Sequence, residues 1–135
     1  MLQELHCGIP GVMVTMPKGL ASTLFFHVYS GPNAIAFAQL SSRSENNHRR
    51  ADSRHITNEE KLPGVSYCLK NIEVCQNYRN KGIGSALLDE IIDFCKNERV
   101  SEIYGEAKGD IPELRRWYQD KGFELDSVDN IQLSF

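Results

Sequence analysis

Alternating and continuous apolar positions predict strands in the first part of the chain. A short apolar run at 12–14 is one candidate strand, and the β-branched and aromatic run at 23–29 is a stronger one. Turn-forming residues at 31–33 lead into a second apolar run at 34–40, which predicts a β-hairpin. Residues 41–61 are polar and charged throughout, so they predict a long loop.

The middle of the chain alternates between strand and helix patterns. Residues 65–75 have strand character and lead into a glycine-rich turn, and residues 84–98 place apolar side chains at helical spacing. Residues 101–107 predict the next strand. A strand–helix–strand unit of this kind makes the second strand parallel to the one that ends near residue 75.

The C-terminal part predicts one more helix and a closing pair of strands. An Asp-x-x-Glu start, a proline in the first turn and Gly122 at the end predict a helix over 112–121. Short apolar segments at 123–125 and 131–135 predict two strands. The length of 135 residues suits a single domain, 1–135, with one core.

The charge and composition of the chain argue against several classes of function. The net charge is −3 and basic residues are interspersed with acidic ones, which argues against nucleic-acid binding. No apolar run approaches the roughly 20 residues that a membrane-spanning helix needs. The four cysteines show no metal-ligand spacing, and no signal sequence is recognisable, so we expect no metal site, reduced thiols and a cytoplasmic protein.

A basic, glycine-rich turn stands where the predicted central strand passes into the first long helix. Gly82 and Gly84 let an anion approach the backbone, and the helix N-terminus offers unpaired N–H groups with partial positive charge. Arg79 and Lys81 add full charges. The turn lacks the Lys-Ser/Thr ending of a nucleotide P-loop and has too few glycines for a dinucleotide fingerprint, so another phosphate carrier fits better.

With its flanks, the segment 71–84 closely resembles the acetyl-CoA-binding motif of the GNAT N-acetyltransferases, which reads Arg/Gln-x-x-Gly-x-Gly/Ala. Residues 114–123 resemble the late helix of that family, which carries a tyrosine and ends in Gly-Phe. The two motifs stand in the expected order and separation. Together they cover about the C-terminal half of the chain, and the sequence is identified on them as a GNAT family member.

The resemblance implies the GNAT fold, an α+β domain with a mixed, mostly antiparallel sheet, a central parallel strand pair splayed around CoA, and helices packed on the faces of the sheet. It also implies acetyl-CoA as co-substrate, with its pyrophosphate on the glycine turn and its pantetheine arm paired with the preceding strand. The predicted cofactor-binding residues are Ile72, Val74, Arg79, Asn80, Lys81, Gly82, Ile83, Gly84 and Ser85.

Acetyl transfer to an amine needs a neutral nucleophile, a stabilised oxyanion and a proton for the departing thiolate. A base helps because a lysine amine has a pKa of about 10.4 and an α-amine about 8. The resemblance assigns the base to Glu106 and the acid to Tyr118, as in several members including the ribosomal-protein alanine acetyltransferases. Glu73 is the second candidate base, and direct proton loss to water is a third route. The backbone N–H of Val74 is the candidate oxyanion donor.

Structural roles compete with these assignments. Glu106 has the alternative interpretation of a solvated carboxylate at a strand end. Tyr118 has the alternative interpretation of a core aromatic residue on the apolar face of its helix. Cys75 is interpreted as a packing residue and not as a nucleophile, because the sequence places no His or Asp to activate its thiol. His27 alternates with aromatic residues on a predicted strand and reads as structural.

The N-terminal third departs from the family pattern. GNAT proteins normally begin with a strand and two helices that build one wall of the acceptor site, but here the hairpin starts by residue 23. Either a second subunit, a partner or the loop 41–61 completes the wall, or the acceptor cleft is unusually open; a homodimer is our expectation. The usual asparagine after the parallel strand is also replaced within residues 109–112, which weakens one expected CoA contact.

The resemblance implies an acetyl-CoA-dependent N-acetyltransferase that moves an acetyl group directly to a primary amine of a small molecule or protein. The alternative is a non-catalytic acyl-CoA-binding regulatory module that lost part of its acceptor site. Glu106 and Tyr118 favour the enzyme, whereas the short N-terminal region favours the module.

Overall fold

The computed structural model describes residues 2–7, 9–42, 65–79, 81–108 and 111–135. The described residues form eight strands and two α-helices: β1 (Leu2–Glu4), β2 (Val12–Thr15), β3 (Thr23–Ser30), β4 (Asn33–Ser42), β5 (Ser66–Val74), α1 (Ile83–Asn97), β6 (Glu102–Glu106), α2 (Ile111–Asp120), β7 (Glu124–Leu125) and β8 (Asn130–Ser134). A single 3-10 turn, Gln76–Tyr78, joins β5 to the glycine turn.

One mixed sheet contains all eight strands in the order β1-β2-β3-β4-β5-β6-β8-β7. β5 and β6 pair in parallel, and the other described pairs are antiparallel. The crossover through α1 makes this parallel pair, as the strand–helix–strand pattern predicted. The predicted α+β class with a central parallel pair is therefore confirmed.

The predicted hairpin closes tightly. Ser30 pairs with Asn33, so the connection between β3 and β4 is the two residues 31–32, and Gly31 adopts a φ of +62° that favours glycine. Strand β4 extends through Ser42, which is buried, so the loop predicted from residue 41 begins later than expected. The rest of that predicted loop, 43–61, lies outside the described residues.

Both helices lie against the same face of the sheet, called here the helix face. The ring of Phe94 in α1 meets that of Phe26 in β3 edge-on, with centroids 5.5 Å apart. At the end of α2, a Cβ built on Gly122 would lie 3.5 Å from Leu133 of β8. Leu133 pairs with Ile103, which is fully buried and belongs to the apolar core. Leu133 therefore lies on the same face of the sheet as that core.

The opposite face, called here the open face, carries the side chains that alternate with the buried ones. In β3 and β4 these include four half-buried or exposed rings, Phe25, His27, Tyr29 and Phe37. The His27 ring lies 6.0 Å from that of Phe25 and 6.3 Å from that of Phe37. No helix of the described residues covers this face, and neither described helix is long and apolar enough to cross a membrane.

Candidate active site

The parallel strands β5 and β6 separate part-way along their length. Their pairing runs from Ser66 with Glu102 to Leu69 with Gly105 and then stops. β5 continues beside β4 as far as Val74, while β6 continues beside β8. The carboxyl ends of the two strands therefore form the arms of a V-shaped opening in the middle of the sheet.

Gly105 lies at the vertex of this opening. A Cβ on Gly105 would stand 3.1 Å from the carbonyl oxygen of Leu69, closer than ordinary carbon–oxygen contacts. Glycine thus lets the two backbones approach before they diverge. On the β5 side, Leu69 pairs with Leu40 and Asn71 with Gln39, so Lys70 is an extra, bulged residue beside the vertex.

Backbone polar groups of β5 point into the opening. Cys75 donates its N–H to the Ile35 carbonyl at 2.8 Å, which makes this a hydrogen-bonded pair with β4. Such pairs alternate along an antiparallel ladder, so Ile72 and Val74 direct their N–H and C=O groups away from β4. Consistent with this direction, Val74 accepts a hydrogen bond at 2.9 Å on its carbonyl from Nε of Arg79. The strand thus offers polar groups that an extended ligand can pair with.

The glycine turn forms the N-terminus of α1. Gly82 is the N-cap residue with a φ of +84°, which an L side chain rarely adopts, so glycine is required there. A Cβ on Gly84 would meet ordinary contacts at 3.6 and 3.9 Å, so alanine fits at this position. The helix has no side-chain cap and no acidic residue in its first turn. Its first N–H groups therefore remain suited to an anion.

The remaining residues of the turn differ in their placement. Lys81 is exposed beside Gly82, whereas the Ile83 side chain is buried in the core, which leaves only its backbone to meet a ligand. Ser85 is half-buried, and its Oγ accepts a hydrogen bond at 3.0 Å from Nε1 of Trp117 in α2. Asn80, also predicted to bind the cofactor, lies outside the described residues.

The two candidate bases stand on opposite arms of the opening and on the open face. Glu73 of β5 is exposed and pairs across the ladder with Phe37. Glu106 ends β6 and is exposed on the other arm, where it pairs with Asn130. It lines a cavity of about 280 Å³ whose other lining residues are Cys68, Leu69, Lys70, Tyr104, Gly105, Lys108 and Asn130.

Tyr118 lies on the helix face and does not line this cavity. The residue is only 5% exposed, and its ring packs against those of Trp117 and Phe123, with centroids 4.9 and 5.3 Å away. Burial raises the pKa of the phenol, which is protonated at neutral pH even at its ordinary pKa of about 10. Its hydroxyl has no hydrogen-bond partner among the described residues, which is uncommon for a buried tyrosine.

A turn that suits an anion thus adjoins a strand with outward-facing polar groups, since a Cβ on Gly84 would lie 3.6 Å from the Val74 side chain, and a buried phenol lies on the helix face. The model of the acetyltransferase (GNAT) family matches residues 17–123, which is most of the chain. The chain belongs to the GNAT family. The family expected from the two sequence motifs is therefore confirmed.

Solved GNAT structures share the fold at low sequence identity. The PaiA N-acetyltransferase from Thermoplasma acidophilum, in complex with coenzyme A, is 19% identical, covers 84% of this chain and 62% of its own, and has a TM-score of 0.59. Arabidopsis thaliana Naa50, in complex with the bisubstrate analogue CoA-Ac-MVNAL, is 17% identical over 82% and 72%, with a TM-score of 0.61.

A third structure matches over a greater length. A GNAT family acetyltransferase from Elizabethkingia anophelis, with acetyl-CoA bound, is 12% identical over 94% of this chain and 100% of its own, with a TM-score of 0.65. The chain spans less than two thirds of the Thermoplasma enzyme. No curated protein matches the sequence. These likenesses establish the fold that the GNAT motifs predicted.

Three features of this GNAT site were not located from sequence. Gly105 at the vertex was detectable in principle, because a glycine inside a strand often marks a close backbone approach. The bulge at Lys70 and the hydrogen bond from Trp117 to Ser85 depend on strand register and helix docking, and no local sequence signal marks them. The described residues contain no group of His, Cys, Asp or Glu side chains that could hold a metal ion.

Proposed function

We propose that this GNAT protein is an acetyl-CoA-dependent N-acetyltransferase, which transfers an acetyl group directly to a primary amine of a small molecule or protein. The observation that carries the proposal is the pair of outward-facing backbone positions, Ile72 and Val74, beside the glycine turn, where a Cβ on Gly84 would lie 3.6 Å from Val74. Amide groups of a pantetheine arm would pair with these positions. The diphosphate would lie on the N-terminus of α1, with Arg79 and Lys81 adding positive charge.

The open face supplies the side from which an amine acceptor would enter. Glu73 and Glu106 both lie on this face, one on each arm of the opening. Either carboxylate, or water, would take the proton that the amine loses as its nitrogen bonds to the acetyl carbon. The N–H of Val74 points into the opening and would stabilise the carbonyl oxygen as that oxygen gains negative charge.

The helix face supplies the acid. As the carbon–sulfur bond breaks, the hydroxyl of Tyr118 would give its proton to the sulfur and recover one from solvent. A phenol carries its proton at neutral pH, and burial raises the pKa of this one further, which makes it a weaker acid than an exposed tyrosine. The hydroxyl has no partner among the described residues and is available to a ligand. Acid and base would then act from opposite faces of the sheet. Binding of a CoA ligand to this fold is supported by the PaiA N-acetyltransferase, solved in complex with coenzyme A, and by Naa50, solved in complex with the bisubstrate analogue CoA-Ac-MVNAL.

The alternative, a non-catalytic acyl-CoA-binding module, is favoured by one observation. No helix among the described residues builds a wall over the open face. A second copy of the chain would supply that wall, and the homodimer remains a prediction, as does the cytoplasmic location.

Calorimetry with acetyl-CoA, desulfo-CoA and ATP tests the cofactor assignment. We expect micromolar binding of both CoA forms and none of ATP. Failure to bind either CoA form would refute both the enzyme and the module.

A panel of amines then separates the enzyme from the module, because only the enzyme turns over. Tyr118→Phe should lower kcat about 100-fold, the lower range for acid catalysis, and leave CoA affinity unchanged. Glu106→Gln and Glu73→Gln, measured against pH, identify the base, since only loss of the base removes the dependence on an ionised carboxylate. CoA binding without transfer to any amine would support the module.

A further inference from the structure

We propose that Trp117 is a positioning residue for the cofactor turn: its indole N–H orients the Ser85 hydroxyl so that this hydroxyl donates its hydrogen to the diphosphate of CoA. The inference deepens the proposed function and rests on the assignment of the turn at Gly82 to CoA. It assigns a role to a contact between α1 and α2, because Trp117 lies outside the turn motif.

The first step is the direction of the hydrogen bond. Nε1 of Trp117 stands 3.0 Å from Oγ of Ser85. An indole N–H only donates, so the serine oxygen must be the acceptor here. The hydroxyl hydrogen must then point elsewhere, and no other described residue accepts a hydrogen bond from it. The indole therefore commits Ser85 to act as a donor toward a further group.

The second step is where that hydrogen points. Ser85 is the third residue of α1, after Ile83 and Gly84, and so belongs to the first turn, whose N–H groups lack partners within the helix. No acidic side chain occupies this turn. A phosphate oxygen bound to these N–H groups would be an acceptor within reach of the Ser85 hydroxyl. Without the indole, the hydroxyl can rotate so that its lone pairs face the anion. It can also donate to a carbonyl oxygen in the preceding turn of its own helix.

The third step is what holds the indole in place. Its ring lies against the turn, since a Cβ on Gly84 would be 3.9 Å from Cζ2 of Trp117. One helical turn later, Nζ of Lys121 contacts the Asp89 carboxylate of α1 at 2.9 Å. Helix α2 is thus fixed to the first two turns of α1 at two points. The same helix carries Tyr118 next to the indole, so the cofactor turn and the proposed acid share one rigid support.

A double-mutant cycle on CoA affinity tests the role. Ser85→Ala should weaken CoA binding about 10-fold, the lower range for a hydrogen bond to a charged group. Trp117→Phe retains the ring and removes the N–H, and should weaken it about 3-fold to 10-fold. The double variant should bind no more weakly than Ser85→Ala, because the indole acts through the hydroxyl. Lys121→Ala, which breaks the other contact between the helices, is the matched control and should retain wild-type affinity within about 2-fold.

Pantetheine, which lacks the diphosphate, separates positioning from general packing. Its affinity, measured by competition against acetyl-CoA, should be the same in wild type, Ser85→Ala and Trp117→Phe. Equal losses for CoA and pantetheine, additive losses in the double variant, or wild-type CoA affinity in Trp117→Phe would each overturn the proposal while leaving the CoA site itself intact. Absence of CoA binding by the wild type would instead refute the proposed function together with this inference.

Fluorescence provides a second readout that does not depend on stability. Trp117 is the single tryptophan of the chain, so the tryptophan emission reports the surroundings of this indole. Saturating CoA should change the emission of the wild type, and saturating pantetheine should leave it unchanged. An emission spectrum that does not respond to bound CoA would contradict the contact between the Ser85–Trp117 pair and the diphosphate.

Discussion

Replacing Gly105 by alanine tests whether the close approach at the vertex builds the active-site opening. The added Cβ would stand 3.1 Å from the Leu69 carbonyl oxygen and 3.7 Å from two carbon atoms of Ile131. The Ile131 side chain is at ordinary contact distance, but the carbonyl belongs to the last residue pair of the parallel ladder. Backbone rather than a flexible side chain must therefore move, by a few tenths of an ångström.

Two opposing effects set the magnitude. Glycine within a strand is less favourable than alanine by about 0.5–1 kcal/mol, so an unhindered substitution would stabilise the protein. Overpacking of a well-filled site costs about 1–3 kcal/mol. We therefore expect Gly105→Ala to lower the free energy of unfolding by about 0.5–2 kcal/mol, which corresponds to a melting temperature lower by about 2–8 °C.

Urea unfolding and acetyl-CoA calorimetry measure the two consequences. Gly19→Ala is the matched control, because its Cβ would meet no atom within 4 Å and the glycine has no positive φ. The control should be neutral or more stable by about 0.4–1 kcal/mol, with unchanged CoA affinity. Gly105→Ala should also bind acetyl-CoA more weakly, since the arms of the opening diverge from this point. A Gly105→Ala variant as stable as the control, with full affinity, would refute the steric reasoning.

Two further predictions concern the turn and the core. Gly82→Ala should cost about 1–2 kcal/mol because of its φ of +84° and should weaken CoA binding. Gly84→Ala, which adds only ordinary contacts within a helix, should be neutral or more stable by up to about 1 kcal/mol in urea unfolding; equal effects of the two changes would contradict the reasoning. Burial raises the pKa of the Cys95 thiol to about 12, above its unfolded value of about 8.5. The stability that this burial provides is complete below pH 8.5 and should fall by up to about 1.4 kcal/mol per pH unit as the pH rises toward 12. The free energy of unfolding, measured with urea between pH 8 and 10.5, should fall less steeply with pH in Cys95→Ala than in the wild type. Parallel curves for the two proteins would exclude the thiol as the cause of the decline.

Elements with strong local patterns were predictable from the sequence. The apolar spacing of α1 places its bounds within one residue of those expected, and the hairpin follows from the turn residues at Gly31. Strand β1 has three residues, and its Leu2 is 56% exposed. It joins the sheet by backbone pairing with β2, so no apolar pattern in the sequence predicts it. Strand β4 ran past its predicted end because the small polar Ser42 is buried beside Tyr67.

The same distinction between local patterns and long-range contacts applies to the site. Its glycine turn is a contiguous motif, so sequence located it, and the alternation of Ile72 and Val74 along β5 followed once that strand was placed. The vertex depends on Leu69 meeting Gly105, two residues that are distant in the chain and whose register no local pattern specifies. The bond from Trp117 to Ser85 likewise requires the docking of two helices. Contacts of this kind arise from the packed fold, which local periodicity does not encode.

The parallel ladder at the vertex also has a consequence for the order of folding. Its four residue pairs, from Ser66 with Glu102 to Leu69 with Gly105, join strands that are separated by the whole of α1, whereas the β3–β4 hairpin closes over a two-residue turn. Closing the longer loop costs more chain entropy, and contacts of large sequence separation form slowly. We therefore expect the hairpin to form first and the β5–β6 pairing to form late. The amides of this short ladder should accordingly exchange with solvent sooner than those of the hairpin.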